Sequence, residues 1–315
     1  MNATNDPPVN DNELVVSRLF DAPPELVFSA WTDPRHLLVW FGPKGFTLTT
    51  ESFSFKEGGA WVYTMHGMGK DWPNYMRFTR IVPGARIELN HGTSPDDIWF
   101  DTVITFTREG EGTRLVLKQT HPTAEKAAEA RKYAVEGGNS TLERLAEYLP
   151  AMDDARHLVI ERVFDAPREL VYAAFTKAEH LARWWGPKGF SLTVKSLDVR
   201  PGGRFHYAGE SPTGQVMWGV FDYLEVVPNE RLVYTNSFSD EAGGITRHPM
   251  APTWPAFLLN RVSFLDEGKG TKVVLRGFPL GATAEEIAMF EGAKPNVQGG
   301  FKGTMDQLDE YLKSL

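Results

Sequence analysis

The sequence predicts an α+β protein built as two tandem domains, each a curved antiparallel sheet wrapped around a long C-terminal helix, with a short helix pair after its first strand. Three observations carry this expectation. Residues 14–59 repeat in gapless register as residues 158–203, from LVVSRLFDAP to LVIERVFDAP and from WFGPKGF to WWGPKGF. Roughly half of these paired positions are identical, and a period this long marks a duplicated globular domain, because solenoid units are far shorter. Each copy then runs from strand-like segments separated by turns into an Ala-, Glu- and Leu-rich stretch with helical spacing.

Each element has its own local reason. Leu14 to Phe20 is apolar and β-branched, hence a strand, and Pro23 after Asp21-Ala22 sits where a first helical turn accepts proline. The helix that follows is expected to run through Trp31. Asp33-Pro34 repeats the cap-then-proline signal and opens a second helix, which the Gly42-Pro43-Lys44-Gly45 turn must end. Gly58-Gly59, Pro83-Gly84 and Glu109-Gly110-Glu111-Gly112 then punctuate about six more strands, expected as a meander. After Pro122, Leu142, Leu145 and Leu149 share one helical face of a long helix, with a break at Gly137-Gly138 as the alternative. Domain one is read as residues 13–149, a linker as 150–157 and domain two as 158–315, behind a disordered tail over 1–12. Copy two carries an extra loop within Ser237 to Pro255.

Composition narrows the function classes. The 33 Lys and Arg face 41 Asp and Glu, a formal charge of -8, which argues against a nucleic-acid or anionic-lipid partner. Without cysteine there is no disulfide framework, thiolate metal site or catalytic thiol, and a reducing compartment fits. The absence of a leader-like start or an apolar run of membrane-spanning length makes the cytoplasm the expected location. No GxSxG, P-loop, GxGxxG or HExxH occurs, so no cofactor or metal is expected. His36 and His180 recur in the second helix and are expected to be surface or capping residues.

The strings FDAPRELVYAAFTKAEHLARWWGPKGF at 164–190, PGGRFHY at 201–207 and EVVPNERLVYT at 225–235 resemble the bacterial activator-of-Hsp90-ATPase-like family of the START-like, Bet v 1-like and polyketide cyclase superfamily. Copy one resembles it more loosely, and together the copies cover nearly the whole chain. The resemblance implies a helix-grip fold whose members include ligand carriers, polyketide cyclases and chaperone regulators.

Strand parity supplies candidate site residues, because alternate side chains share a face. Trp61, Tyr63 and Met65 alternate with smaller neighbours, as do Phe205, Tyr207 and Gly209. Leu89 leads to His91 where Tyr234 leads to Asn236, and Gln119 ends a row matched by Gly277. Thr102 or Asn260 leads by parity into Phe106 or Phe264, and Trp254 stands in the extra loop. These rows read as an apolar wall with a few polar ends, the pattern of a small-molecule pocket, although the aromatics also suit a plain core. The strand from Phe46 to Phe55 does not alternate, so its facing stays open. Trp40-Phe41 and Trp184-Trp185 read as packing anchors with a lid as the alternative, and Lys44 and Lys188 as solvated turn residues with anion binding as the alternative.

Three functions compete. The first is a non-catalytic tandem module holding a small apolar or aromatic ligand. The second is a cyclase- or hydrolase-like enzyme using His91, Gln119, Tyr63 or Tyr207. The third, implied by the resemblance, is a chaperone-binding regulator of Hsp90. The duplication points to a monomeric pseudo-dimer or a homodimer, and the different polar ends predict that the two halves do not bind one ligand equally.

Overall fold

The computed structural model describes residues 10–315. The chain divides into two compact units, one ending at Pro150 and the other beginning at Ala151. Most of the tail expected over 1–12 lies outside the described residues. Residues 10–12 are ordered: the Glu13 amide donates to the Asn10 carbonyl at 3.0 Å and Asn12 Nδ2 to the His121 carbonyl at 2.9 Å.

Domain one runs β1 (Glu13–Phe20), α1 (Pro24–Ser29), α2 (Pro34–Trp40), β2 (Thr47–Phe53), β3 (Ala60–Gly67), β4 (Lys70–Val82), β5 (Arg86–Ser94), β6 (Asp97–Glu109), β7 (Gly112–Thr120) and α3 (Ala124–Tyr148). The sheet order is β1-β7-β6-β5-β4-β3-β2, antiparallel throughout, so the meander closes on its first strand through β1 and β7. Domain two repeats the plan with β8 (Leu158–Phe164), α4 (Arg168–Thr176), α5 (Ala178–Trp184), β9 (Ser191–Leu197), β10 (Arg204–Glu210), β11 (Val216–Val227), β12 (Arg231–Ser239), β13 (Ile245–Thr246), β14 (Leu258–Glu267), β15 (Gly270–Pro279) and α6 (Ala284–Leu312). Its order is β8-β15-β14-β12-β11-β10-β9, with β13 folded back on the end of β12. Both domains are helix-grip folds of the α+β class.

Four local details differ from the sequence expectation or explain it. The first helix ends at Ser29, so Trp31 sits in the turn behind it. The Gly-Gly pairs do not break the terminal helices: α3 is continuous over 25 residues and α6 over 29, despite Pro295 inside it. The expected linker is built structure, two short 3-10 turns over Leu149–Met152 and Asp154–Arg156, and Arg156 pairs with Glu291 of α6 at 2.9 Å. The failed alternation of β2 is a β-bulge: Thr50 pairs with Tyr63 and Ser52 with Val62, leaving Glu51 as the extra residue. β9 carries the same bulge at Lys195, between Val194–Tyr207 and Ser196–His206.

Candidate functional site

The helix pair and the terminal helix frame each interior. Trp40 Nε1 donates to the Ala30 carbonyl at 3.2 Å and Trp184 Nε1 to the Ala174 carbonyl at 2.9 Å, both in buried positions, so the first aromatic of each pair is a packing anchor. The second, Phe41 or Trp185, forms cavity wall instead. His36 and His180 are neither caps nor free surface groups: each Nδ1 lies 2.6 Å from a tyrosine hydroxyl of the terminal helix, Tyr148 and Tyr311 respectively. Arg144 of α3 donates to the carbonyls of Val39, Phe41, Gly42, Pro43 and Phe46 at 2.6 to 3.3 Å, satisfying the open end of α2 and the turn after it. Burial pushes its pKa down to about 10. Gln307 does part of this work in domain two, donating to the Trp184 and Gly186 carbonyls at 3.4 and 2.8 Å. Lys44 pairs with Glu143 at 3.0 Å and Glu147 at 2.9 Å, so its anionic partners are side chains of the same domain.

Between the concave face and the terminal helix each domain encloses a cavity, about 310 Å³ in domain one and about 460 Å³ in domain two. Tyr63, Met65, Leu89, His91 and Gln119 line the first; Tyr207, Tyr234, Asn236, Trp254 and Asn260 line the second. Trp61, Phe106, Phe205 and Phe264 do not line them. They share the concave face but lie deeper in the core, where Phe106 packs on Phe28 at 5.3 Å and Phe264 on Phe175 at 5.2 Å between ring centroids. Strand parity gives a side chain's face but not its depth: the first helix of each pair covers Phe106 and Phe264, while Trp61 lies behind the wall residues Phe41 and Tyr63, and Phe205 behind Tyr207 and Phe221.

The polar groups differ between the copies. In domain one Asn74 Nδ2 donates to the Trp72 carbonyl at 2.7 Å, so its Oδ1 accepts from His91 Nε2 at 3.0 Å and leaves His91 Nδ1 as an acceptor. Burial pushes the His91 pKa down to about 4. In domain two Asn260 Nδ2 donates to Asn236 Oδ1 at 2.6 Å. Burial raises the pKa of Tyr63, and that of Tyr207 to about 12. Neither wall carries an Asp, Glu, Lys or Arg side chain. Asn74 escaped the sequence reading because the register of β4 was unassigned; it stands opposite Tyr63. Phe290 and Phe301 of α6 also line the second cavity, and their spacing of three helical turns was the available signal.

The volumes differ for a simple reason. Met65, Asn74 and Gln119 on the first wall correspond to Gly209, Gly219 and Gly277 on the second. In addition, α3 approaches the sheet at Gly138, where a Cβ would lie 3.1 Å from Val16, whereas α6 carries Phe301 at the corresponding place. The extra loop of domain two contributes His248 and Trp254 to its wall, and Arg247 ties that loop to Glu286 of α6. Among the described residues no helix is long and apolar enough to cross a membrane, and no cluster of His, Asp and Glu is arranged to hold a metal ion.

Comparisons with known proteins match this architecture. The family described as Activator of Hsp90 ATPase homolog 1-like protein matches residues 21–150 and again 165–313. Two solved structures align over both domains. The di-domain ARO/CYC BexL from the BE-7585A biosynthetic pathway has a TM-score of 0.59 at 15% identity, covering 95% of this chain and 98% of that one. The di-domain ARO/CYC StfQ from the steffimycin biosynthetic pathway has a TM-score of 0.55 at 12% identity, covering 96% and 98%. A protein from Staphylococcus epidermidis is 25% identical over 50% of this chain and 88% of its own, with a TM-score of 0.41. No protein of curated function matches the sequence. At these identities the two-domain likenesses establish the fold.

Proposed function

The chain belongs to the Activator of Hsp90 ATPase homolog 1-like family, and from that footing we propose that it binds a small, uncharged, apolar or aromatic molecule inside its helix-grip domains. The observation that carries this reading is the domain-two interior, about 460 Å³ lined mainly by aromatic and aliphatic side chains, with the amides of Asn236 and Asn260, His248 and a few hydroxyls, and with no Asp, Glu, Lys or Arg. A space of this size suits a ligand of two or three fused rings, and burying an ion there without a partner would be costly. The acid–base groups favour binding over turnover. His91 with a pKa near 4 is a weak base at pH 7, and Tyr207 near 12 a weak acid. A cysteine-free sequence fits a cytoplasmic setting for this role.

The test is a fluorescence titration of the full chain with N-phenyl-1-naphthylamine, an uncharged dye that brightens in apolar surroundings. Saturable brightening that an uncharged polycyclic competitor reverses supports the reading. Emission that stays at its aqueous level across the titration contradicts it.

A further inference from the structure

The Asn236–Asn260 pair gives the domain-two cavity a polar group of fixed orientation. Asn260 is 7% exposed and lines the wall. Its Nδ2 donates to Asn236 Oδ1 at 2.6 Å and to the Leu258 carbonyl at 3.1 Å. A backbone carbonyl can only accept, so the amide is held one way round and both of its N–H groups are used. What remains is the oxygen, Oδ1. It has no hydrogen-bond partner among the described residues, and it is not sealed off from a water-sized molecule. An acceptor this deep in an apolar wall costs free energy when it goes unpaired, so a donor on whatever fills the space is favoured.

The strand register keeps the approach to this oxygen open. Asn260 stands opposite Gly277 of β15, and a Cβ there would come 2.9 Å from Oδ1. Domain one pairs Thr102 with Gln119 at the same place, so a short hydroxyl replaces the amide and a long side chain replaces the gap. His248 does not compete for a donor: its Nδ1 already accepts from the Met250 amide at 3.1 Å, which puts the proton of the neutral ring on Nε2. Asn236 Oδ1 is engaged by Asn260, and at half-burial the Asn236 N–H groups can stay hydrated.

We infer that the domain-two cavity takes an uncharged ring compound bearing a hydrogen-bond donor, a ring hydroxyl in its simplest form, which donates to Asn260 Oδ1 through the gap left by Gly277. This rests on the cavity reading above and adds the ligand's polar group and its partner. An oxyanion is disfavoured, because it would face a carbonyl oxygen on a wall without Lys or Arg.

The experiment uses the full chain labelled at its nine tryptophan indoles and follows their N–H signals by NMR while adding 2-naphthol or 2-methylnaphthalene, in which a methyl replaces the hydroxyl. Trp254 reports domain two and Trp31 domain one, assigned by single Phe replacements. The readout is the ratio of the two affinities at Trp254, compared between the parent chain and Asn260→Leu so that the more apolar character of the methyl cancels. The inference expects that ratio to favour the hydroxyl about five- to tenfold more in the parent, with the ratio at Trp31 unchanged by the substitution. Gly277→Ala, whose methyl covers the approach to Oδ1, should lower the ratio in the same direction, and decides the matter alone if Asn260→Leu does not fold. Binding confined to Trp31, or a ratio at Trp254 that Asn260→Leu (or, in its place, Gly277→Ala) leaves unchanged, overturns the inference and leaves the cavity reading standing. No response at Trp254 and Trp31 to either compound overturns both.

Discussion

Met65 on β3 and Gly209 on β10 hold the same place on their respective cavity walls, and only Met65 puts a side chain there. The other two glycine exchanges are of a different kind. A Cβ on Gly219 would come 2.7 Å from the Tyr207 ring and one on Gly277 2.9 Å from Asn260 Oδ1, while one on Gly209 meets nothing closer than 3.9 Å. A side chain at Gly219 or Gly277 therefore has to displace the end of a neighbouring side chain, while Gly209 leaves usable space. Gly219→Asn and Gly277→Gln should each lower stability by about 1–3 kcal/mol, the usual cost of overpacking. Gly209→Met should be close to neutral in the same urea titration.

The His–Tyr ties predict equivalent losses in the two copies. Tyr148→Phe and Tyr311→Phe each remove a 2.6 Å hydrogen bond between the helix pair and the terminal helix. Each should cost about 1 kcal/mol, read as a lower denaturation midpoint with unchanged slope. A loss confined to one variant would mean that the repeated geometry does not carry repeated energy.

The half-buried His91 makes domain one sensitive to acid. Its pKa in the folded state is near 4, below the value of about 6.5 for a free imidazole, so the unfolded chain takes up the proton first. Stability contributed by the neutral ring is present above pH 6.5 and is lost as the pH falls toward 4. The loss should be of order 2–3 kcal/mol, seen as a falling melting temperature between pH 7 and 4.5. His91→Asn, which installs the domain-two residue, should flatten that slope.

Much of this was legible in the sequence, and the failures have physical causes. The duplication, the helix pair between the first two strands and the count of strands all follow from repeats and turn residues. Asp33 caps α2 as its position before proline implies, accepting from the Arg35 amide at 2.8 Å. The bulges at Glu51 and Lys195 could not be read, because a bulge inverts parity without a composition signal. Trp61, Phe106, Phe205 and Phe264 were placed on the correct face and at the wrong depth.

The helix glycines give a further contrast. Alanine is the better helix former by about 1 kcal/mol, and a Cβ on Gly299 of α6 meets nothing within 4 Å, so Gly299→Ala should stabilise domain two by about 0.5–1 kcal/mol. Gly138→Ala should show no such gain, because its Cβ would crowd Val16 at 3.1 Å. Calorimetry of the two variants beside the parent chain checks both signs.

The most direct test of the central claim, that these interiors are ligand sites whose capacity is set by the wall glycines, is a reciprocal exchange read by N-phenyl-1-naphthylamine titration. Gly209→Met should weaken dye binding to the full chain several-fold, and Met65→Gly should add a second, measurable binding event. Dye affinity and stoichiometry unchanged in both variants would contradict the claim and place the dye elsewhere on the protein.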